Sequence, residues 1–313
     1  MADLTFTIRT LSLEEASFEY SNERIERCHP TSFQKDIIGQ PRAVQAIRMG
    51  LSIPGRGYNI FVSGEPGTGR MNAIRSILKK VPENDSLQDF MYVHNFSRPD
   101  IPLLLMLPGG TGRKFQHAMK SLVRRIKEAL IDQVTGAESH VDPDRLIEGL
   151  QKDFREVEES FNNPKITLYL QAVRDDLQEY SYIFSGADTD TVRSAQFFLR
   201  YSVNLLVARD DVRGTPIIYA SHPSIPSIFG AIDEKAENRD ENHPPFLSIR
   251  TGSLLEASGG YLVINLVDIL KEEGMWDLLK RTLQTGVVNF QHHTGSQQHY
   301  SGGIRPEPIP IPL

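Results

Sequence analysis

Apolar positions along this chain change their period twice. Up to residue 112 they come as short runs bounded by Gly, Pro and polar turns, which predict strands, alternating with helically spaced stretches. Asp36 to Ile53 predicts a helix that starts after Gly39 with Pro41 in its first turn, and Ala43, Ile47 and Leu51 give it one apolar face. Ile60 to Val62 predicts a strand, and a helix follows over about 70–81. Phe90 to Phe96 and Leu103 to Leu107 predict two more strands. From Arg113 to about Asp211 the period becomes three and four. Met119, Leu122, Val123, Ile126, Leu130 and Val134 form one stripe, and Leu146, Leu150, Phe154, Val157 and Phe161 a second. Val173, Leu177 and Tyr180 belong to a third, and Val192, Ala195, Leu199, Val203 and Leu206 to a fourth. Stripes this wide predict an antiparallel helical array with its own core and nearly no strand; a partner-binding coiled arm is the alternative.

From residue 212 the strand-and-helix pattern resumes. Strands are expected at Pro216–Ala220, Tyr261–Ile264 and Val287–Phe290, and a short helix at Gly252–Ser258. A longer helix over about 267–285 would turn Ile269, Leu270, Trp276, Leu279 and Leu283 inward and end at Gly286. The pattern divides the chain into 1–112, 113–211 and 212–313: an α/β core interrupted by an all-α insertion.

The candidate chemistry begins at Tyr58 to Ala73, YNIFVSGEPGTGRMNA. An apolar run, a Gly/Pro-rich turn and a helix-forming segment are the layout of a phosphate-binding P-loop. Gly64 and Gly69 have the required separation, with Gly67 between them. The two ionic positions depart from the pattern. Arg70 stands where a lysine reaches the phosphates, and its planar fork does not replace a compact ammonium at a tight site. Met71 stands where a hydroxyl holds Mg²⁺, and a thioether is no ligand for that hard cation. A second strand in such sites ends in an Asp that binds Mg²⁺, followed by a Glu that polarises water. Tyr261–Ile264 is the candidate, and it ends in Asn265 and Leu266, with Asp268 at the wrong offset. Two motifs have lost what metal binding and hydrolysis need, so a loop shape without ATP turnover is expected.

Composition narrows the class. With 313 residues, 39% hydrophobic and 24% charged, the chain is expected to be globular. A net charge of −6 gives no support for nucleic acid as a partner. No apolar run reaches membrane-spanning length and the N-terminus lacks a signal-peptide core, so a cytoplasmic protein is expected. The single cysteine, Cys28, excludes an internal disulfide, and the nine histidines, His292 and His293 included, show no metal-ligand spacing. No metal site is expected. No serine sits in a Gly-x-Ser-x-Gly turn.

Three stretches carry a family likeness: IIGQPRAVQAIRMGLSIPGRGYNIFVSGEPGTGR, LLEASGGYLVINLVDILKEEGMWDLLKRTLQTGVVNF and SGGIRPEPIPIPL. Together they resemble the AAA+ part of Lon-type proteases, most of all the Lon-C branch, with a helical insertion and degenerate nucleotide motifs. The resemblance implies a P-loop AAA+-like parallel-sheet core and hexameric rings around a proteolytic chamber. It also implies degradation of unfolded polypeptide without ATP, and no cofactor. It places Gly64, Gly67 and Gly69 at the P-loop glycines and Arg70, Met71, Asn265 and Leu266 at the altered ionic positions. Phe229, with Gly230, falls where related rings carry an aromatic pore-loop residue that grips substrate; a staple packing the loop is the even alternative. The family's serine–lysine dyad lies beyond the stretch matched here, so this chain by itself is expected to be neither a protease nor an active ATPase. An ATP-driven unfoldase and a pure scaffold are the rival readings.

Overall fold

A computed structural model describes Ser12 and residues 40–53, 55, 57–65, 67–84, 86–136, 140–209, 214–232, 244–290 and 304–311. Cys28, His292 and His293 lie outside these residues. The chain divides into two compact units, Met1–Ser52 with Ile60–Lys80, and Ile53–Asn59 with Val81–Leu313.

In the first unit, α1 (Pro41–Ser52) begins on the expected proline, whose missing N–H costs nothing in a first turn. Its apolar face is only half covered: Ala43 is exposed, and Ile47 and Leu51 are half-buried. Helix α2 (Arg70–Leu78) buries Ile77 and Leu78. The strand expected at Ile60–Val62 is not formed, and Ile60 and Phe61 are 41% and 72% exposed. A strand without a hydrogen-bonded neighbour gains nothing from extension, whatever its β propensity.

The second unit is built on a three-stranded antiparallel sheet ordered β2-β1-β3, from β1 (Gln88–Val93), β2 (Leu103–Pro108) and β3 (Asn204–Val207). Helices α3 (Gly112–Val134), α4 (Pro143–Phe161) and α5 (Pro164–Tyr180) pack in sequence. Their ends follow from local chemistry. Asn162 takes the left-handed conformation (φ 39°) that stops α4, and Asn163 accepts from Lys165 N at 2.9 Å to cap α5 above Pro164. Asp142 caps α4 likewise, from Asp144 N at 3.1 Å and Arg145 N at 3.3 Å. The stripe residues Met119, Ile126, Leu150, Phe154, Val173 and Leu177 share one core with Met91 and Leu105 of the sheet.

The fourth stripe departs from expectation. It is carried by α6 (Thr189–Ser194), a 3₁₀ turn (Gln196–Tyr201) and strand β3, so the segment expected to be helical throughout returns to the sheet. Leu206, placed on a helix face by its spacing, instead faces the second core beside Phe90 and Tyr92.

The remainder comprises β4 (Ile217–Ala220), α7 (Ile225–Phe229), β5 (Ala231–Ile232), β6 (Ile249–Arg250), α8 (Ser253–Glu256), β7 (Tyr261–Ile264), α9 (Leu266–Lys271), α10 (Met275–Thr285), β8 (Val287–Val288) and β9 (Ile309–Pro310). Among the described strands only β4 and β7 run parallel, Ile217 opposite Tyr261 and Ala220 opposite Ile264. The expected parallel core is thus seen only as this pair, and Phe90–Phe96 and Leu103–Leu107 join an antiparallel sheet instead. The helix expected over about 267–285 is broken at Gly274 (φ 76°), where α10 starts. The break turns Leu270 and Trp276 outward, 58% and 40% exposed, while Ile269 and Leu279 are buried. Gly286 (φ 67°) ends α10 as expected, donating its N–H to Thr282 O at 2.9 Å.

Two polar devices join these parts. Asp89, wholly buried at the start of β1, accepts from Gly112 N at 2.7 Å and Arg209 N at 2.8 Å, tying the first turn of α3 to the exit of β3. The stretch 304–311 runs back along β2. Arg305 N donates to Asp100 O at 2.6 Å, and Glu307 accepts from Leu104 N at 3.1 Å and lies 3.5 Å from Lys165 Nζ. Tyr92 donates its hydroxyl to Glu307 O.

Candidate functional site

The glycine-rich loop lies in the first unit. Gly67 (φ 82°) and Gly69 (φ 75°) hold left-handed backbone that side chains rarely adopt, and Gly69 is the residue before α2. Thr68 donates its hydroxyl to Glu65 O at 2.8 Å, closing the turn. The N–H groups of the first turn of α2 have no side-chain cap, so the loop keeps the backbone character of an anion cradle. Arg70 opens the helix with its aliphatic stem close to Gly64: a Cβ on that glycine would lie 3.2 Å from Arg70 Cδ. Met71 follows, 43% exposed. The loop therefore presents a guanidinium stem and a thioether at its entry into α2.

The second constellation lies in the other unit, at the carboxyl ends of β4 and β7, where open α/β sheets place their ligands. Asn265 caps α9: its Oδ1 accepts from Val267 N at 3.2 Å and its Nδ2 donates to Asp268 Oδ2 at 2.8 Å. Leu266 is the first helical residue. Asp268 also accepts from Lys271 Nζ at 2.9 Å, and that hydrogen bond holds its carboxyl below the usual range. The Asn265 oxygen is spent on the helix and the nearest carboxylate on a lysine, so these residues do not fit Mg²⁺. Among the described residues no group of three His, Cys, Asp or Glu side chains could hold a metal ion.

Phe229 is 4% exposed at the end of α7, in the second core with Ile228, Ile232, Phe246 and Leu254. Its ring is packed among these side chains in this chain. Gly230 (φ 88°) is required by close approach: a Cβ there would lie 2.5 Å from both Arg250 O and the Phe290 ring. No sequence signal separated the two roles of Phe229, because burial depends on Phe246 and Ile249, outside its local window.

Sequence reasoning missed a buried polar cluster inside the helical segment. Asp176 accepts from Tyr201 Oη at 2.6 Å and from Arg200 Nη1 at 3.0 Å. Burial, reinforced by Asp176, pushes the Tyr201 hydroxyl far above its ordinary value. Phe96 stacks on Tyr169, and His94 makes a T-shaped contact with Phe96, the ring centroids 4.8 Å apart. Burial, and secondarily the Arg200 charge, lower the His94 pKa to about 4. Asp176 follows Val173 at helical spacing, the one sign that a carboxylate falls on the buried face.

Comparison with known families adds the following. Residues 213–313 match the LonB-like AAA domain, and residues 89–122 match the Lon-like LonC helical domain. An archaeal Lon protease of Methanothermobacter thermautotrophicus is 30% identical over 95 residues, 30% of this chain and 14% of the relative. An archaeal Lon protease of Archaeoglobus fulgidus is 24% identical over 299 residues, 90% of this chain and 40% of the relative. The chain therefore spans less than half the length of these curated relatives. No described helix is long and apolar enough to cross a membrane. The two family matches and the archaeal relatives together support a Lon-like protease branch for this chain.

Proposed function

We propose that this chain is a degenerate AAA+-like module of an ATP-independent, Lon-C type protease, and that it admits or binds unfolded polypeptide for a serine–lysine protease domain outside the stretch described. Its three parts are then 1–112, 113–211 and 212–313, with the middle part as a helical insertion. In the whole protein it forms a hexameric, cytoplasmic ring at the chamber entrance, with no nucleotide or other cofactor. The observation that carries this reading is the use made of Asn265, whose side-chain oxygen is committed to capping α9 while Leu266 stands where a base is needed. Arg70 and Met71 support it independently, since no Mg²⁺ ligand is restored at either motif.

The rival reading, an ATP-driven unfoldase, requires Mg²⁺-dependent nucleotide binding. Isothermal titration of ATP and ADP, with and without Mg²⁺, into this chain and its Arg70→Lys, Met71→Thr double variant separates the two. We expect no Mg²⁺-dependent binding by the parent chain; tight, Mg²⁺-dependent binding would put the motor first. Retention of a permanently unfolded polypeptide, measured by fluorescence anisotropy without nucleotide, tests the substrate half of the proposal.

A further inference from the structure

At the end of the helical segment remote from the sheet, three large apolar side chains are held out to solvent. Tyr180, Tyr182 and Ile183 are 37%, 58% and 49% exposed. The cause is local geometry. Residues 181–184 form a 3₁₀ turn, in which positions three apart face the same way. Ser181 and Phe184 are inward, buried at 0% and 4%, so Tyr182 and Ile183 must point outward. Helix α3 starts beside β1, where Gly112 meets Asp89, and its 23 residues carry its far end about 35 Å from that point.

The tip is stitched together. Val141 N donates to Ser185 Oγ at 3.1 Å, Asp142 N to Gln133 Oε1 at 2.8 Å, and Gln178 Nε2 to Asp144 Oδ1 at 2.8 Å. The same stitching gathers charge of one sign. The joined segments and their flanks carry Asp132, Asp142, Asp144, Glu179, Asp188 and Asp190, and Arg145 is the one Lys or Arg among the described residues of 132–145 and 178–190. Arg200, over the Tyr180 ring at 5.9 Å, is engaged by Asp176. Asp188 is held ionised by the hydrogen bonds it accepts at Thr191.

We propose that this tip is a docking surface for extended polypeptide that carries apolar residues interleaved with lysine or arginine. The inference rests on the reading of the chain as a polypeptide-admitting module and assigns that role to a place. Charge complementarity selects the occupant: nucleic acid and anionic lipid are repelled by the carboxylates, and a second copy of this chain, of net charge −6, brings the same sign. Tyrosines at the centre give large contact area at small cost in side-chain entropy.

The test uses this chain with two fluorescent, disordered synthetic peptides of leucine, tyrosine and serine, one with interspersed lysine and its twin with glutamate. Anisotropy should show binding of the lysine peptide and little of the twin. Tyr182→Ser with Ile183→Ser should weaken binding about tenfold or more. Asp188→Asn with Asp190→Asn, which keeps the capping oxygen, should weaken it and flatten its salt dependence. Leu168→Ser, removing an exposed leucine (71%) elsewhere on α5, should change nothing. All substituted side chains are at the surface, and unchanged melting of each variant verifies the fold. If tip variants bind as the parent does, the tip proposal is overturned while the general reading stands. If the parent binds neither peptide nor any unfolded polypeptide, both are overturned.

Discussion

Single residues decide more here than their number implies. Asp89 is the sharpest case, because two backbone N–H groups from distant segments end on one buried carboxylate. Asp89→Ala leaves both donors without their acceptor, and we expect a loss of about 2–5 kcal/mol in urea unfolding; Asp89→Asn keeps one acceptor oxygen but turns an NH2 toward the second N–H, so it should destabilise as well. Gly112 is tied to the same spot: a Cβ there would lie 2.8 Å from Asp89 Cβ. His94 makes a different prediction. Its pKa of about 4 lies below the unfolded value, so between about pH 6.5 and pH 4 the unfolded chain binds a proton that the native chain refuses. Stability must then fall as pH drops through that window and be fully present above it. Proton NMR should find one imidazole titrating near 4, and His94→Gln should lessen the acid sensitivity over this range.

At the scale of elements, the helical segment shows why a stripe is a strong signal. Periodicity places Phe154 on the buried face of α4, and it is wholly buried, with the Arg174 guanidinium 4.6 Å from its ring centroid. Phe154→Ala should cost about 3–5 kcal/mol, because the cavity has α3 and α5 on either side and cannot collapse. The returning stretch 304–311 works by another principle. Glu307 satisfies an edge N–H of β2 with a side chain, and Lys165 Nζ donates to Leu104 O at 3.2 Å, so the outer edge at Leu104 is closed to further pairing. Glu307→Ala should speed hydrogen exchange at Leu104 and in 304–311 while leaving α3 and α4 protected. Equal acceleration throughout would mean that Glu307 holds up the whole unit.

For the whole molecule, the described parts of the two units differ in how much core they own. Among the described residues of the first, only Ile77 and Leu78 are buried, whereas the second holds two extensive clusters. Amides of α1 and α2 should therefore exchange much faster than those of β1 and α3. Saturating ATP with Mg²⁺ should leave that difference unchanged if the glycine loop keeps only its shape; protection of α2 on adding nucleotide would return the motor reading to first place.

Much of this was legible in the sequence. The amphipathic period fixed α3, α4 and α5 and their buried faces, since a helix satisfies its own backbone and needs only a face to bury. Side-chain chemistry alone raised the expectation for Arg70, Met71, Asn265 and Leu266, because a ligand is an atom type before it is a position. Tertiary structure decided the rest. Strands are made by their partners, so Ile60–Val62 stayed irregular while residues 204–207, inside a helical pattern, became β3. Gly274 broke what spacing read as one helix and sent Leu270 and Trp276 outward. The place of Phe229 was settled by Phe246 and Ile249, which reach it only through the fold. Covalent sequence thus determined local periodicity and available chemistry; burial and strand pairing, which are properties of neighbours distant along the chain, were determined only when the chain folded.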